Sequence, residues 1–228
     1  MHQPPGNIDL LLRTREWEAK EIILCYERPL RYVSRYEDVA RIHLGFSGIL
    51  LEQLCSPHII ESFSAILDLK RVMQEYPAAR GIEFLGMGYY HPLFPLIPME
   101  DWKPQIERWK QRAKALGLSA QGFWPPEMGF CMEMIPVLKD TGFKYVVVDS
   151  VHVKPKSGSM RREDIMYKPH IAEYNSAEIV IIPRDRDISN AQESGLDPGW
   201  FEHEVMHKTE RCEGNCLLTT WSDGENGG

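Results

Sequence analysis

A glutamate directly after a predicted strand is the first residue whose surroundings suit chemistry. Glu127 follows Trp124 and the pair Pro125-Pro126. Neither proline can donate a backbone N–H, so the pair interrupts strand pairing and stiffens the turn. The sequence therefore predicts that Glu127 is held just past the end of a strand, beside an aromatic ring. The simpler interpretation is an exposed loop glutamate near a core tryptophan.

A second set of carboxylates follows Trp221. Asp223 and Glu225 are two residues apart, so their side chains point to the same side if the backbone is extended. Neighbouring glycines allow close approach of backbone or ligand, although Asp-Gly is also a common turn dipeptide. Paired carboxylates beside tryptophans suit glycoside hydrolysis. In that reaction one carboxylate attacks the anomeric carbon, and another, held protonated, supplies a proton to the leaving oxygen.

Further polar residues fall inside or just after predicted strands. Glu83 lies within the apolar run Ile82–Met87, where a charged side chain needs a partner or a function. Other residues share a position at or just past a strand: His2, Tyr89, Tyr90, His91, Asp149 and His152. The residue types alone do not decide which pair of carboxylates acts.

The elements that must position these residues alternate along the chain. Runs rich in valine, isoleucine and aromatic residues predict strands, and amphipathic stretches predict helices. The predicted strands are Arg41–Phe46, Ile82–Met87, Ala120–Trp124, Tyr145–Asp149, Ile179–Pro183 and Leu217–Trp221. The predicted helices are Glu61–Tyr76, a stripe from Trp102 to Leu116, Met132–Thr141 and one that begins at Asp197-Pro198. This alternation predicts parallel βα units and an α/β fold.

A closed barrel is favoured over an open nucleotide-binding sheet, because no glycine-rich turn leads from a strand into a helix. No linker divides the chain, so residues 1–228 are predicted to form a single domain. Residues 150–178 interrupt the alternation and carry a basic cluster: Lys154, Lys156, Arg161 and Arg162. The cluster is interpreted as a solvated loop, with an anion site as the alternative.

Four short segments, in order, resemble motifs of glycoside hydrolase family 57, the retaining α-glucan-active enzymes built on a (β/α)7 barrel. His2-Gln3-Pro4 resembles the first motif, Gly81–Gly86 the second, Trp124–Glu127 the third and Asp223–Glu225 the fourth. The resemblance implies a distorted TIM-like (β/α)7 barrel and a double-displacement mechanism. It also implies a glycoside hydrolase or transglycosylase acting on α-1,4-glucan-type oligo- or polysaccharides, with no metal or organic cofactor.

The resemblance assigns the two chemical roles. Glu127 would be the nucleophile and Asp223 the general acid/base. Their carboxyl groups would lie about 5–5.5 Å apart, as retention requires.

The resemblance also suggests residues that contact the sugar. Three of them would line the donor-sugar site through hydrogen bonds: His2, Glu83 and Glu225. Trp124 and Trp221 are candidates for stacking on sugar rings. Asp149 and His152 follow a strand and are candidates for substrate contact, without a role carried over from the family.

The sequence departs from the family pattern in two ways. The third motif has a double proline where a leucine-containing form is more usual. Only Met1 precedes His2, where the family has its first barrel strand, and the sequence stops three residues after Glu225. We therefore predict an incomplete barrel, truncated at both ends, without the first strand and the C-terminal part. A second hypothesis is that this fragment is inactive on its own, since missing strands leave exposed sheet edges.

A zinc metallopeptidase is an alternative of a different class. His203-Glu204-Val205-Met206-His207 matches H-E-x-x-H, in which two histidines bind zinc and the glutamate activates water. The metzincin extension fails, because Glu210 and Glu213 occupy its glycine and third histidine positions. A solvated helix face is therefore the preferred interpretation. A catalytically inactive carbohydrate-binding barrel is a further alternative.

The amino-acid composition restricts the possible binding partners of the protein and its cellular compartment. The 228 residues contain 26 Lys and Arg against 33 Asp and Glu, a net charge of −7. This balance argues against partners such as nucleic acid and anionic membranes. No apolar run approaches the ~18–20 residues that span a bilayer. Five scattered cysteines indicate free thiols in a reducing compartment, so a cytoplasmic location is predicted.

Overall fold

The computed structural model describes residues 1–225. They fall into two compact units, Met1–Pro126 and the chain from Glu127 onward. Each unit combines helices with parallel strands, which confirms the predicted α/β class. The boundaries of the predicted single barrel domain stay a prediction. Within residues 1–225, no helix is both long and apolar enough to cross a membrane.

The first unit holds a parallel sheet surrounded by helices. Its elements are α1 (Asn7–Thr14), α2 (Glu16–Cys25), α3 (Arg28–Arg35), β1 (Ile42–Gly45), α4 (Gly48–Leu54), α5 (Pro57–Phe63), α6 (Leu69–Glu75), β2 (Ile82–Gly86), α7 (Met99–Ala115) and β3 (Ala120–Phe123). β2 lies between β1 and β3 and pairs in parallel with both. The carboxyl ends of the three strands therefore lie along one edge of this sheet.

Helix α7 fixes the turn that follows β1. Its predicted apolar stripe is confirmed, since Trp102, Ile106 and Trp109 are all buried. Burial of each such side chain stabilises the unit by roughly 1.5–3 kcal/mol. The Trp109 indole N–H also donates to the carbonyl of Phe46, at 2.7 Å, directly after β1. The residue pair is 63 positions apart, so this bond joins a helix to a strand end.

A close approach at the start of α4 positions the segment after β2. Ser47 caps the helix by accepting from the N–H of Leu50, at 3.2 Å. A Cβ on Gly48 would lie 2.1 Å from Cδ2 of Tyr89. Only glycine therefore allows the Tyr89 ring to pack against the first turn of α4, which places Tyr89 next to the strand ends.

The second unit holds strands of both orientations. Its elements are α8 (Met134–Asp140), β4 (Tyr145–Asp149), α9 (Arg162–Met166), β5 (His170–Tyr174), β6 (Ala177–Arg184), α10 (Arg186–Glu193) and α11 (Pro198–Thr209). β6 pairs in parallel with β4 and antiparallel with β5. Asp197 caps α11 by accepting from the N–H of Trp200, at 2.8 Å, which confirms the predicted start of that helix.

Strand β5 was not predicted. It forms a hairpin with β6 through Asn175 and Ser176, whose φ angles are 48° and 62°. Two consecutive left-handed residues are typical of a type I′ turn, whose twist matches that of the flanking strands. Asn-Ser is a weaker sequence signal for this turn than Asn-Gly, so residues 150–178 did not reveal their hairpin.

Two predicted elements are wrong. Glu61–Tyr76 is not one helix: α5 ends at Phe63 and α6 begins at Leu69, where the Asp68 carboxylate caps the N–H of Arg71, at 2.9 Å. Leu217–Trp221 is not a strand, because residues 217–223 have no regular secondary structure. The other predicted strands and the helices near Trp102, Met134 and Pro198 are confirmed to within a few residues. Helices α1 to α4, α9 and α10 were not predicted.

Candidate functional site

Glu127 lies in strained backbone directly after β3 and the two prolines. Its φ and ψ are 54° and 23°, and φ of Met128 is 56°. A left-handed conformation costs a non-glycine residue roughly 1–3 kcal/mol, and such strain clusters at functional sites. The side chain of Glu127 is exposed. β3 ends at Phe123, so the expectation that Glu127 lies just past the end of a strand is confirmed. Its exposure agrees with the simpler interpretation as a loop glutamate, and its role in a site stays a prediction.

Asp223 and Glu225 follow an irregular segment rather than a strand. Asp223 is exposed and Glu225 is partly buried. Asp223 belongs to the same compact unit as Glu127. The predicted separation of about 5–5.5 Å between their carboxyl groups stays a prediction.

Individual hydrogen bonds hold the irregular segment 217–221, which we call the strap. The Leu217 N–H donates to the carbonyl of Tyr167, at 2.8 Å, and the Asp185 N–H donates to that of Thr219, at 2.9 Å. The Trp221 N–H donates to the Ser189 hydroxyl oxygen, at 3.0 Å. The strap is thus fixed at several points, although it forms no ladder.

Asp149 is the most buried of the predicted site residues, with 4% of its side chain exposed. Its Oδ2 accepts from Nε of Arg184, at 3.2 Å, and from Nε of Arg186, at 2.9 Å. Its Oδ1 accepts from the N–H of Val151, at 3.1 Å. Burial acts to raise the pKa of Asp149, but the Arg186 and Val151 hydrogen bonds and the charges of both arginines outweigh it, so the pKa is lowered. The carboxylate is therefore already engaged by the protein.

His152 is exposed in the turn that Asp149 caps. A cavity of about 750 Å³ lies beside it within the second unit. Its lining combines apolar side chains from the strands, including Val148 and Ile181, with basic side chains such as Lys154. This mixture of apolar and polar lining is typical of cavities that bind small ligands.

Two of the four residues of the basic cluster at 154–162 pair with carboxylates of the protein. Lys156 pairs with Glu173, at 3.2 Å. Arg161 pairs with both Asp164 and Glu213, each at 2.9 Å. These pairs support the interpretation as a solvated loop over that of an anion site.

His2 stacks on His91 within the first unit. Their ring centroids are 4.3 Å apart and the rings are 5° from parallel. His2 Nδ1 is 2.9 Å from the Ser47 hydroxyl oxygen, and His91 adopts a left-handed φ of 58°. Burial, followed by the charges of His2 and the amino terminus, lowers the pKa of His91 to about 4. Burial likewise lowers the pKa of His2.

The sequence analysis noted that His91 follows a predicted strand but did not include it among the site residues. The signal that could have indicated it is the Tyr-Tyr-His-Pro segment after β2.

The histidine pair predicts a pH dependence of stability. Between about pH 6.5 and 4, His91 is protonated in the unfolded chain but stays neutral in the folded protein. The free energy of unfolding should therefore fall as the pH drops through this range, and His91 should not lower it at higher pH. We expect NMR titration to show His91 neutral at pH 5. In a His91→Asn variant, which tolerates the left-handed backbone, the fall should be smaller. An unchanged pH dependence in that variant would contradict the prediction.

Glu83 and Trp124 lie at neighbouring strands of the first unit. Glu83 Oε2 is 3.7 Å from His43 Nε2, and the two residues are direct partners in the β1–β2 register. The Glu83 side chain is half-exposed, so it remains accessible to a ligand. Trp124 is partly buried against the core, and its N–H donates to the Gly86 carbonyl, at 2.8 Å.

The H-E-x-x-H segment lies on helix α11, as predicted. The rings of His203 and His207 are nearly parallel, with centroids 6.3 Å apart. His203 is largely exposed, as expected for a solvated helix face. In the part of the chain that the structure describes, no group of three or more His, Cys, Asp or Glu side chains is arranged to hold a metal ion.

Comparison with known proteins gives a consistent result. The family model of glycosyl hydrolase family 57 matches residues 19–193. The chain is 31% identical over 188 residues to a 4-α-glucanotransferase of Thermococcus litoralis and 30% identical over 188 residues to an α-amylase of Pyrococcus furiosus. Each alignment covers 82% of this chain and 26% of the relative. The chain therefore spans about a quarter of the length of these curated relatives.

A solved structure supports the same relationship at the level of fold. The crystal structure of 4-α-glucanotransferase from Thermococcus litoralis matches 98% of this chain and 32% of its own, with a TM-score of 0.71 at 23% identity. Glu83, Trp124 and Glu127 lie within the segment that the family model matches, together with Asp149 and His152. The remaining predicted site residues lie outside it: His2, Trp221, Asp223 and Glu225.

Proposed function

Because the chain belongs to glycosyl hydrolase family 57, we propose that the protein is a retaining, α-glucan-active glycoside hydrolase or transglycosylase. The observation that carries the proposal is Glu127: it lies inside the matched segment, directly after β3, in strained backbone that exposes its carboxylate. The relatives named 4-α-glucanotransferase and α-amylase support α-glucan as the substrate class.

In the proposed mechanism, two displacements occur at one anomeric carbon. The Glu127 carboxylate attacks that carbon while Asp223 donates its proton to the leaving glycosidic oxygen, so a glycosyl-enzyme ester forms and the C–O bond breaks. Asp223, now ionised, then accepts a proton from the incoming nucleophile, which displaces Glu127. Water as the nucleophile gives hydrolysis, and a sugar hydroxyl gives transfer. Two inversions leave the anomeric configuration retained.

The surrounding residues would bind and orient the glucan. We assign hydrogen bonding of the donor sugar to His2, Glu83 and Glu225, and stacking to Trp124 and Trp221. Contacts from His152 would come from the lining of the cavity in the second unit. The proposed mechanism needs no metal or organic cofactor, because both carboxylates supply the acid, base and nucleophile.

A cytoplasmic location completes the proposal, with no nucleic-acid or membrane partner. All five cysteines are free thiols, which supports a reducing compartment. The net charge of −7 supports the absence of polyanionic partners.

The stereochemistry of the first product tests the proposal. The protein, expressed from its full reading frame, is incubated with maltoheptaose and followed by proton NMR before mutarotation equilibrates the anomers. We expect the α-anomer to appear first. Growth in reducing ends would identify hydrolysis, and redistribution of chain lengths without such growth would identify transfer. Initial formation of the β-anomer, or no reaction with any α-glucan, would refute the proposal.

A further inference from the structure

The ends of β4 and β6 place the carboxylate of Asp149 beside the guanidinium of Arg184. Asp149 and Arg184 are direct partners in the parallel register, and each is the last residue of its strand. Nε and Nη2 of Arg184 each lie 3.2 Å from Oδ2 of Asp149. The pair is largely shielded from water, with 4% of the Asp149 side chain and 15% of the Arg184 side chain exposed. Because a buried pair is screened weakly by water, this contact fixes the guanidinium firmly.

The remaining nitrogen of that guanidinium reaches the strap. Nη1 of Arg184 donates to the carbonyl oxygen of Trp221, at 2.9 Å. On the other side of the same residue, the Trp221 N–H donates to the Ser189 hydroxyl oxygen. Trp221 is therefore held at both of its backbone polar groups, by the end of β6 and by α10.

We infer that Arg184 is a positioning residue for Asp223, a step that rests on the proposed function. Asp223 lies two residues beyond Trp221, so its Cα is confined to within about 7 Å of the anchored residue. The strap has no ladder to fix it, and Arg184 joins it to a buried ion pair at the carboxyl ends of two parallel strands. The guanidinium fork can contact a carboxylate and a carbonyl at once, which the single ammonium of a lysine cannot reproduce in the same geometry.

Arg186 provides a matched control. It donates to the same Asp149 oxygen, at 2.9 Å, but 44% of its side chain is exposed. Among residues 1–225, no hydrogen bond joins its side chain to the strap. Variants of Arg186 therefore disturb the charge balance around Asp149 and leave the Trp221 anchor intact.

The test compares a substrate that needs an acid with one that does not. Maltoheptaose requires protonation of its leaving oxygen, whereas fluoride leaves α-maltosyl fluoride without it. The variants are Arg184→Lys, Arg184→Gln, Arg186→Gln and Asp223→Ala, all in the protein expressed from its full reading frame. Asp223→Ala defines the signature of a lost acid: a large fall in kcat on maltoheptaose, a much smaller fall in single-turnover cleavage of the fluoride, and rescue of the second step by azide.

We expect both Arg184 variants to show this signature in weaker form, with kcat on maltoheptaose reduced about tenfold to a hundredfold and KM little changed. Arg186→Gln should lower the rates on both substrates by the same small factor. Arg184→Lys keeps the charge beside Asp149, so thermal unfolding of that variant should stay close to that of the parent even if Arg184→Gln unfolds early.

Three outcomes would overturn the inference. Equal losses on both substrates in Arg184→Lys would mean that Arg184 acts on the fold alone. Matching behaviour of the Arg184 and Arg186 variants would mean that only the charge near Asp149 matters. If Asp223→Ala loses as much activity on α-maltosyl fluoride as on maltoheptaose, the proposed acid/base role is wrong and the inference fails with it. This outcome is distinguishable from the other two, because it concerns the Asp223 variant and not the arginine variants.

Discussion

Replacing Glu127 with glycine is expected to lower kcat on maltooligosaccharides by at least about a thousandfold, because the variant lacks the carboxylate proposed to form the glycosyl-enzyme ester. Glycine also suits the site structurally. The backbone at residue 127 is left-handed, at φ 54°, and glycine adopts that conformation without the cost that glutamate bears. A loss of turnover in a protein of unchanged or slightly raised stability would separate chemistry from folding.

The adjacent residue supplies the control for this experiment. Met128 has nearly the same φ, 56°, but carries no titratable group. Met128→Gly should therefore relieve similar strain and keep turnover within a few fold of the parent. Thermal unfolding of Glu127→Gly and Met128→Gly, measured together with initial rates, tests both halves of the expectation.

Chemical rescue gives a sharper readout than loss of activity. Azide can occupy the space left by the carboxylate and attack the anomeric carbon of α-maltosyl fluoride from the same face. Glu127→Gly should then form a β-glycosyl azide, whereas rescue of Asp223→Ala should give the α product because Glu127 still acts first. Rescue that gives the α-azide in Glu127→Gly, or parent-like turnover without azide, would show that another residue is the nucleophile.

Within residues 1–225, local sequence signals located five of the six strands, but only α7, α8 and α11 among the helices. The prediction of a strand failed where the deciding interaction is distant in the chain. The stripe on α7 and the cap at Asp197 were readable, because helix periodicity and capping involve residues within a few positions. Leu217–Trp221 has a strand-like composition, yet a strand exists only where another backbone pairs with it. Helix α2 was overlooked, although Ala19 and Ile23 form a buried i, i+4 pair that could have indicated it.

In the candidate site, too, local features were predictable from the sequence and contacts between distant residues were not. The position of Glu127 just after a strand was predictable, because the tryptophan and two prolines that precede it are local. The contact of Asp149 with Arg184 was not, because it depends on the β4–β6 register across 35 positions. The sequence suggested Asp149 as a substrate contact, which stays a prediction, and gave no sign that its carboxylate accepts from two arginines. The stack of His2 on His91 likewise depends on tertiary structure.

Removing the Asp149 carboxylate is expected to produce the largest loss of stability among the variants considered. Asp149→Ala leaves Arg184 as a charge without its buried partner, which typically costs about 3–5 kcal/mol. It also removes the acceptor that caps the turn at Val151. Urea unfolding followed by tryptophan fluorescence should show the midpoint shifted to lower denaturant at an unchanged slope.

An exposed ion pair in the same unit provides the control. Lys156 and Glu173 are 3.2 Å apart, but 86% and 48% of their side chains are exposed. Glu173→Ala should therefore cost less than about 1 kcal/mol, because water and salt screen such pairs. Equal losses from Asp149→Ala and Glu173→Ala would contradict the conclusion that burial makes the Asp149 contacts strong.

The lowered pKa of Asp149 gives the sign of the accompanying pH dependence. Below its ordinary value of 3.8, the unfolded carboxyl is protonated while the folded one remains ionised, so the unfolded state binds more protons. The stability that Asp149 contributes is thus fully present above about pH 4 to 5 and is lost as the pH falls through the lowered native pKa.

Asp149→Asn, which cannot ionise, should reduce this loss of stability at acid pH, which we call the acid limb. The variant should leave unchanged the separate fall between pH 6.5 and 4 that His91 produces in the first unit, because that fall depends on burial of an imidazole rather than on a carboxylate. A parent-like acid limb in Asp149→Asn would show that other carboxylates control the acid unfolding.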